Sequence, residues 1–156
     1  MNTASLNIYF ATETGNAETL AHQTHERAVA NGRTDATVES IARLTPEALR
    51  DHTLVVFVVS TWGDGEPPSD ATDFYYGLEK ATGLDLSGLT YAVFGLGDRD
   101  YADFNAFARN LDEQLAARGA RRLVDRAEAD LDFDDTYAAW ADRLFDALAA
   151  SPVTTS

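Results

Sequence analysis

The run "TLVVFVVS", Thr53–Ser60, constrains the fold of this chain more than any other stretch. It is continuously apolar in its middle, rich in β-branched residues, and followed by the Gly/Pro-rich "TWGDGEPPS". A strand with one wet face alternates apolar and polar residues. An unbroken run belongs to a strand covered on both faces, as in a parallel sheet between two layers of helix. The run falls far short of the roughly 20 apolar residues of a membrane-spanning helix.

The rest of the chain supplies the elements that such a strand needs. Ser5–Ala11 reads as another buried strand and Thr34–Ser40 as an outer one, while "TYAVFGLG" gives a strand at Thr90–Gly95 and "RRLVDRAEA" a fifth, less apolar one. Between them lie helical patterns. Asn16–Asn31 puts Ala17, Leu20, Ala21, Thr24 and Ala28 on one face, with Gly32 as its stop. Thr45-Pro46 opens a short helix, with Thr as the cap and Pro in the first turn. Ser69 caps a helix running to Lys80. Phe104, Phe107, Leu111 and Leu115 mark the next, ending at Gly119. Asp134 or Asp135 opens a last one with Tyr137, Trp140, Leu144 and Leu148 inward. Strands alternating with helices predict an α/β fold with a five-stranded parallel sheet and helices on both faces. The 156 residues form one domain, residues 1–150, with "SPVTTS", 151–156, as a loose tail.

Charge and cysteine content narrow the chemistry. Twelve basic against 26 acidic residues give a net charge of −14. A surface of that sign repels nucleic acid and anionic lipid, whose binding needs clustered Lys and Arg, and attracts a basic protein partner. It also suits solvation in a salt-adapted organism. With no cysteine, disulfides, thiolate metal sites and thiol chemistry are excluded. "MNTASLN" carries neither the basic head nor the apolar segment of a secretory signal, so a cytoplasmic location is expected. His22, His25 and His52 are scattered and read as surface or partner contacts. The acidic run "DLDFDD", Asp130–Asp135, reads as a helix start rather than a calcium site, and no metal ligand set or catalytic residue is assigned.

Doubly wound sheets bind ligands beyond the carboxyl ends of their strands, where the strand order reverses. In the order 2-1-3-4-5, strands one, three and four form that edge. The polar, glycine-rich segments Thr12–Ala17, Ser60–Pro68 and Gly95–Asn105 follow those same three strands. In the first, a turn into a helix N-terminus presents backbone N–H groups, to which Thr12, Thr14 and Asn16 add donors while Gly15 permits close approach. Taken alone, the loop reads either as a nest for a single terminal phosphate held by uncharged groups or as a polar βα turn with a cap. A nucleoside triphosphate is excluded with the G-x-x-x-x-G-K-[ST] pattern, and no G-x-G-x-x-G follows the first strand. Trp62 and Tyr101 place an aromatic on each of the other two loops, suited to holding a planar ring.

The segments "TETGNAE", "VVSTWGDGEPPSDATDF", "FGLGDRDYADFN" and "RGARRLVDRAEADLD", spanning about residues 6 to 149, resemble the flavodoxin family. The likeness is to its short-chain type, closest in motifs to the FMN domains of diflavin reductases such as sulfite reductase flavoprotein and cytochrome P450 reductase. The resemblance implies the flavodoxin-like three-layer sandwich and FMN as cofactor. It puts Thr12, Glu13, Thr14, Gly15, Asn16 and Ala17 around the phosphate, with the Glu13 side chain turned away. Ser60, Thr61, Trp62, Gly63 and Asp64 would border the ribityl chain and ring, and Leu96, Gly97, Asp98 and Tyr101 would close the other side, flanked by Phe104 and Asn105. Many relatives carry Cys where Asn105 stands. Trp62 is like the free short-chain flavodoxins, whereas "GEPP" and "DFY" lean toward the reductase branch.

The resemblance implies a single-electron carrier, a monomer that passes low-potential electrons from a reductase to an acceptor enzyme across a basic partner surface. The acids of the ring loops would oppose further negative charge there and so lower the potential. An FMN-binding accessory protein or the detached FMN domain of a diflavin reductase is the alternative. A phosphoryl-receiver domain shares the sheet order but needs an acidic pair after strand one and an aspartate ending strand three. Here those positions read "ATET" and "ST".

Overall fold

The computed structural model describes residues 6–11, 15–60, 71–97, 106–130 and 132–150. Its central strand is the long apolar run: β3, Leu54–Ser60, buried throughout except at Ser60. In chain order the elements are β1 (Leu6–Ala11), α1 (Asn16–Ala30), β2 (Thr37–Ser40), β3, α2 (Thr72–Lys80), β4 (Thr90–Leu96), α3 (Ala106–Ala117), β5 (Arg121–Arg122), β6 (Ala127–Ala129) and α4 (Asp134–Ala150). All pairings are parallel, in the order β2-β1-β3-β4-β5, with β6 also paired to β4.

The unbroken apolar run is explained by what lies on either side of it. Alternate residues of β3 enter two separate cores. Leu54, Val56 and Val58 join Leu6 and Ile8 of β1 and Phe94 of β4 under α1 and α4. Val55, Phe57 and Val59 join Tyr9, Tyr91 and Val93 under α2 and α3. Each fully buried Val or Phe contributes about 1.5–3 kcal/mol relative to exposure, so both faces repay an apolar side chain at every position. No helix among the described residues is long and apolar enough to cross a membrane.

α1 stops where the sequence places its glycine. Gly32 has φ +98°, and the N–H groups of Gly32 and Arg33 donate back to the carbonyls of Val29 (3.0 Å) and Ala28 (2.9 Å). That pair of bonds satisfies the last helical carbonyls, and the left-handed residue between them suits a glycine. At Thr45-Pro46 the expected helix is a single 3₁₀ turn, Glu47–Asp51, and Thr45 Oγ1 accepts from the Ala48 N–H at 3.3 Å as a cap should. β2 begins at Thr37 rather than Thr34, because Ala36 N–H turns back to the Arg33 carbonyl (3.1 Å). Ser5, Ser69 and the tail 151–156 lie outside the described residues.

The fifth strand departs most from expectation. "RRLVDRAEA" is two short pieces rather than one strand. Arg122 pairs with Tyr91 and Ala127 with Phe94, so the chain spends two residues more than β4 does over the same distance. Between them Arg126 leaves the ladder and reaches a carboxylate on α3. The sheet order itself reverses between β1 and β3, and ligands of such sheets bind outside the strand carboxyl ends at that point, a rule for which sheets of order 2-1-3-4-5 are themselves a standard instance.

Candidate functional site

The site is best built from the ends of β1, β3 and β4. Ala11 ends β1, Ser60 ends β3 and Leu96 ends β4; Ala11 pairs with Val59, and Ser60 with Leu96. Neighbouring strands lie about 4.8 Å apart, so the three segments after them start side by side. The Ser60 hydroxyl donates to the Ala11 carbonyl at 3.2 Å, tying the last residue before the first segment to the last before the second. Gly97 N–H donates to the Ala129 carbonyl at 2.9 Å and fixes the start of the third to β6.

Gly15 sets the geometry of the first segment. At φ 92° and ψ −10° it is left-handed, a conformation that costs an L side chain roughly 1–2 kcal/mol. Its carbonyl accepts both the N–H (3.0 Å) and the hydroxyl (3.1 Å) of Thr19, which starts the helical ladder. The N–H groups of Asn16, Ala17 and Glu18 precede that ladder and have no helical carbonyl to bond, and the cap residue, Gly15, has no side chain to offer them. Asn16 is exposed and Ala17 fully buried, so the turn is anchored on its inner side and open on its outer one. A helix N-terminus of this kind, with uncharged donors and the positive end of its dipole, fits a phosphate. Glu18, which would repel one, lies 3.7 Å from His22 Nε2, and the His22 ring packs 6.0 Å from that of Phe10.

Six of the predicted residues, Gly15, Asn16, Ala17, Ser60, Leu96 and Gly97, fall within the described residues, at the ends of β3 and β4 and at the start of α1. Thr12, Glu13, Thr14, Thr61, Trp62, Gly63, Asp64, Asp98, Tyr101, Phe104 and Asn105 lie outside them. None of the six ionises. What they can offer a ligand is hydrogen bonds and close approach, not acid–base chemistry.

Two of the histidines read as surface contacts have partners within the fold. His25 Nε2 lies 2.9 Å from the Ala36 carbonyl, and His52 Nε2 lies 3.1 Å from the Tyr9 hydroxyl. Burial pushes the His52 pKa down, against the pull of Asp51 and Glu39, and pushes that of Tyr9 up, with Glu39 adding to it. In the acidic run, Asp134 and Asp135 form the first turn of α4. Among the described residues no group of three or more His, Cys, Asp or Glu is placed to hold a metal ion.

The sequence reading missed Asp112. It is buried on α3 and receives the Tyr91 hydroxyl, Arg122 (Nε at 3.0 Å, Nη2 at 2.9 Å) and Arg126. A signal was there: Ala108, Leu111, Asp112 and Leu115 follow the i, i+3, i+4, i+7 pattern, so an acid occupies a place in the apolar stripe.

A doubly wound sheet with a phosphate-type helix N-terminus at its switch point defines a mononucleotide-binding domain of the α/β class. The family model for flavodoxin matches residues 8–140, and the chain belongs to the flavodoxin family, whose cofactor is FMN. It is 34% identical over 146 residues to the sulfite reductase (NADPH) flavoprotein alpha-component of Mannheimia succiniciproducens, covering 94% of this chain and 24% of that protein. With the NADPH–cytochrome P450 reductase of Homo sapiens it shares 32% over 147 residues, covering 90% and 22%. The chain thus spans about a quarter of the length of these curated relatives. Among solved structures, the flavodoxin of Streptococcus pneumonia TIGR4 superimposes with a TM-score of 0.81 at 26% identity, covering 94% of this chain and 99% of that one.

Proposed function

We propose that this chain is an FMN-dependent single-electron carrier, passing low-potential electrons from a reductase to an acceptor protein. The observation that carries the reading is the alignment of Ala11, Ser60 and Leu96 on adjacent strand ends beside the N-terminus of α1 that opens at the left-handed Gly15. Bound there, FMN supplies the one-electron chemistry. The chain's part is to hold the phosphate on the N–H groups of residues 15–18 and to orient the ring from the segments after β3 and β4. Thr12, Thr14, Trp62 and Tyr101 keep the roles that the family resemblance gives them.

The working unit in this reading is residues 1–150, acting as a cytoplasmic monomer with an acidic face toward a basic partner. Its net charge of −14 supports the last point. A second reading, the FMN domain of a longer diflavin reductase or an FMN-binding accessory protein, is favoured by relatives of which this chain matches about a quarter. The test is direct. Protein purified in FMN should be yellow, should release FMN on denaturation, and after reduction should pass electrons one at a time to a haem protein. A colourless chain that takes up no FMN would overturn the proposal, and the surrounding reading frame separates carrier from domain.

A further inference from the structure

We infer that Asp112 is a positioning residue, which holds Gly97 in register with α3 and so sets one wall of the cofactor site. The inference rests on the FMN reading, since Gly97 is a wall only if a ring lies against it.

Asp112 stands in the middle of α3 with 1% of its side chain exposed. Its carboxylate meets Arg122, which ends β5, and Arg126, which immediately precedes β6. Arg126 in turn donates from Nε to Glu128, at the centre of β6, at 2.9 Å. The two arginines and two carboxylates cancel in charge, and the Tyr91 hydroxyl from β4 also donates to Asp112. At the end of β6, one residue beyond Glu128, the Ala129 carbonyl accepts the Gly97 N–H. A continuous series of contacts therefore joins α3 to Gly97.

Stability alone does not call for such a cluster. A buried ion set loses much of its Coulomb attraction to desolvation, and a well-packed apolar side chain in the same stripe is often as stable or more so. Leu111 and Leu115 beside Asp112 show that the stripe accepts one. What charge adds is a specified geometry. β6 is only three residues long and is cut off from β5 by the two extra residues, so its own ladder is a weak guide to its position. Arg126, bonded through Nη1 to Asp112 and through Nε to Glu128, ties β6 to α3, and the two-nitrogen contact of Arg122 with Asp112 fixes β5 beside it; these charged bonds supply what the short ladder does not.

Two variants test this, Asp112→Asn and the milder Arg126→Gln, against Leu49→Ala as a control at a buried position whose core cluster includes no residue of β6. In apoprotein, both should speed hydrogen exchange at the Gly97 amide by about tenfold or more over the control, because its acceptor strand is loosened. With flavin, both should weaken FMN binding by about fivefold. The ratio of FMN to riboflavin affinity should not change, since the phosphate end at α1 is untouched. Leu49→Ala should lower the melting temperature without either effect. If Arg126→Gln lowers the melting temperature but leaves Gly97 exchange and FMN affinity as in wild type, the cluster is only structural and the inference is wrong. Should Asp112→Asn fail to fold, Arg126→Gln decides. A wild-type protein that binds no flavin defeats the FMN reading instead, and Gly97 exchange then judges the positioning on its own.

Discussion

The Tyr137 hydroxyl of α4 lies 2.7 Å from the Thr24 hydroxyl of α1, both buried, and Thr24 donates in turn to the Leu20 carbonyl at 2.8 Å. This links the helix that carries the phosphate-type N-terminus to the last helix of the chain. The two partners are unequal. Tyr137→Phe leaves Thr24 bonded to Leu20, whereas Thr24→Val leaves the Tyr137 hydroxyl with only the Leu20 carbonyl at 3.5 Å. An unsatisfied buried hydroxyl costs about 1–3 kcal/mol, against about 1 kcal/mol for a hydrogen bond lost with its donor. Thr24→Val should therefore destabilise more than Tyr137→Phe in urea unfolding; equal or reversed losses would refute the assignment.

Gly15 gives a second prediction. A Cβ built at Gly15 meets nothing within 4 Å, so replacement should cost backbone strain and not a clash. Gly15→Ala should destabilise the apoprotein by roughly 1–2 kcal/mol, and Gly15→Asn by less, because Asn tolerates the left-handed region. Denaturant unfolding of both variants measures the difference. If Ala and Asn cost the same, side-chain volume matters at this position and the conformational argument fails.

Much of the fold could be read from the sequence because each feature had a local cause. The β-branched run became β3 with a shift of one residue, since burial on both faces leaves no alternation to confuse. α1 was bounded by its glycines, and Tyr137, Trp140, Leu144 and Leu148 all face inward as their spacing requires. Sheet order was assumed, with the polar loops following the three strands that this order brings together, and the order observed is the one assumed. The broken fifth strand was not legible, because its cause is a carboxylate on another element: Arg122 and Arg126 are drawn to Asp112 across 10 and 14 residues of sequence. His52 was misjudged for the same reason, its partner Tyr9 being 43 residues away. Of the candidate site, the structure describes where the three segments start, while the aromatic residues Trp62 and Tyr101 lie outside the described residues.

His52 makes stability depend on pH in a defined direction. Burial, the largest influence on it, lowers its folded pKa below the ordinary 6.5. In the window from 6.5 down to that depressed value the unfolded chain binds more protons than the native one, so stability present above pH 6.5 is lost as pH falls. Tyr9, Glu39 and Asp51 are the titratable groups around it. Urea midpoints at about pH 7, 6 and 5 should drop more steeply for wild type than for His52→Gln. Parallel slopes would show that His52 titrates alike in both states.

The acidic surface makes two salt predictions that separate its possible uses. Residues 12–14, 61–70 and 98–105, which come after β1, β3 and β4, hold seven of the chain's acids and a single arginine, Arg99. If that charge steers a basic partner, electron transfer from the reduced holoprotein to a basic cytochrome should slow by at least about tenfold between roughly 10 mM and 1 M salt, as the screening length shrinks from about 30 to 3 Å. A neutral acceptor should show little of this. If the charge serves solvation at high salt, the urea midpoint should rise over the same range, because self-repulsion is relieved. The two responses are independent and are measured on different observables. A rate that ignores salt, with a midpoint that climbs, would assign the acidity to the organism's surroundings and withdraw it from partner recognition.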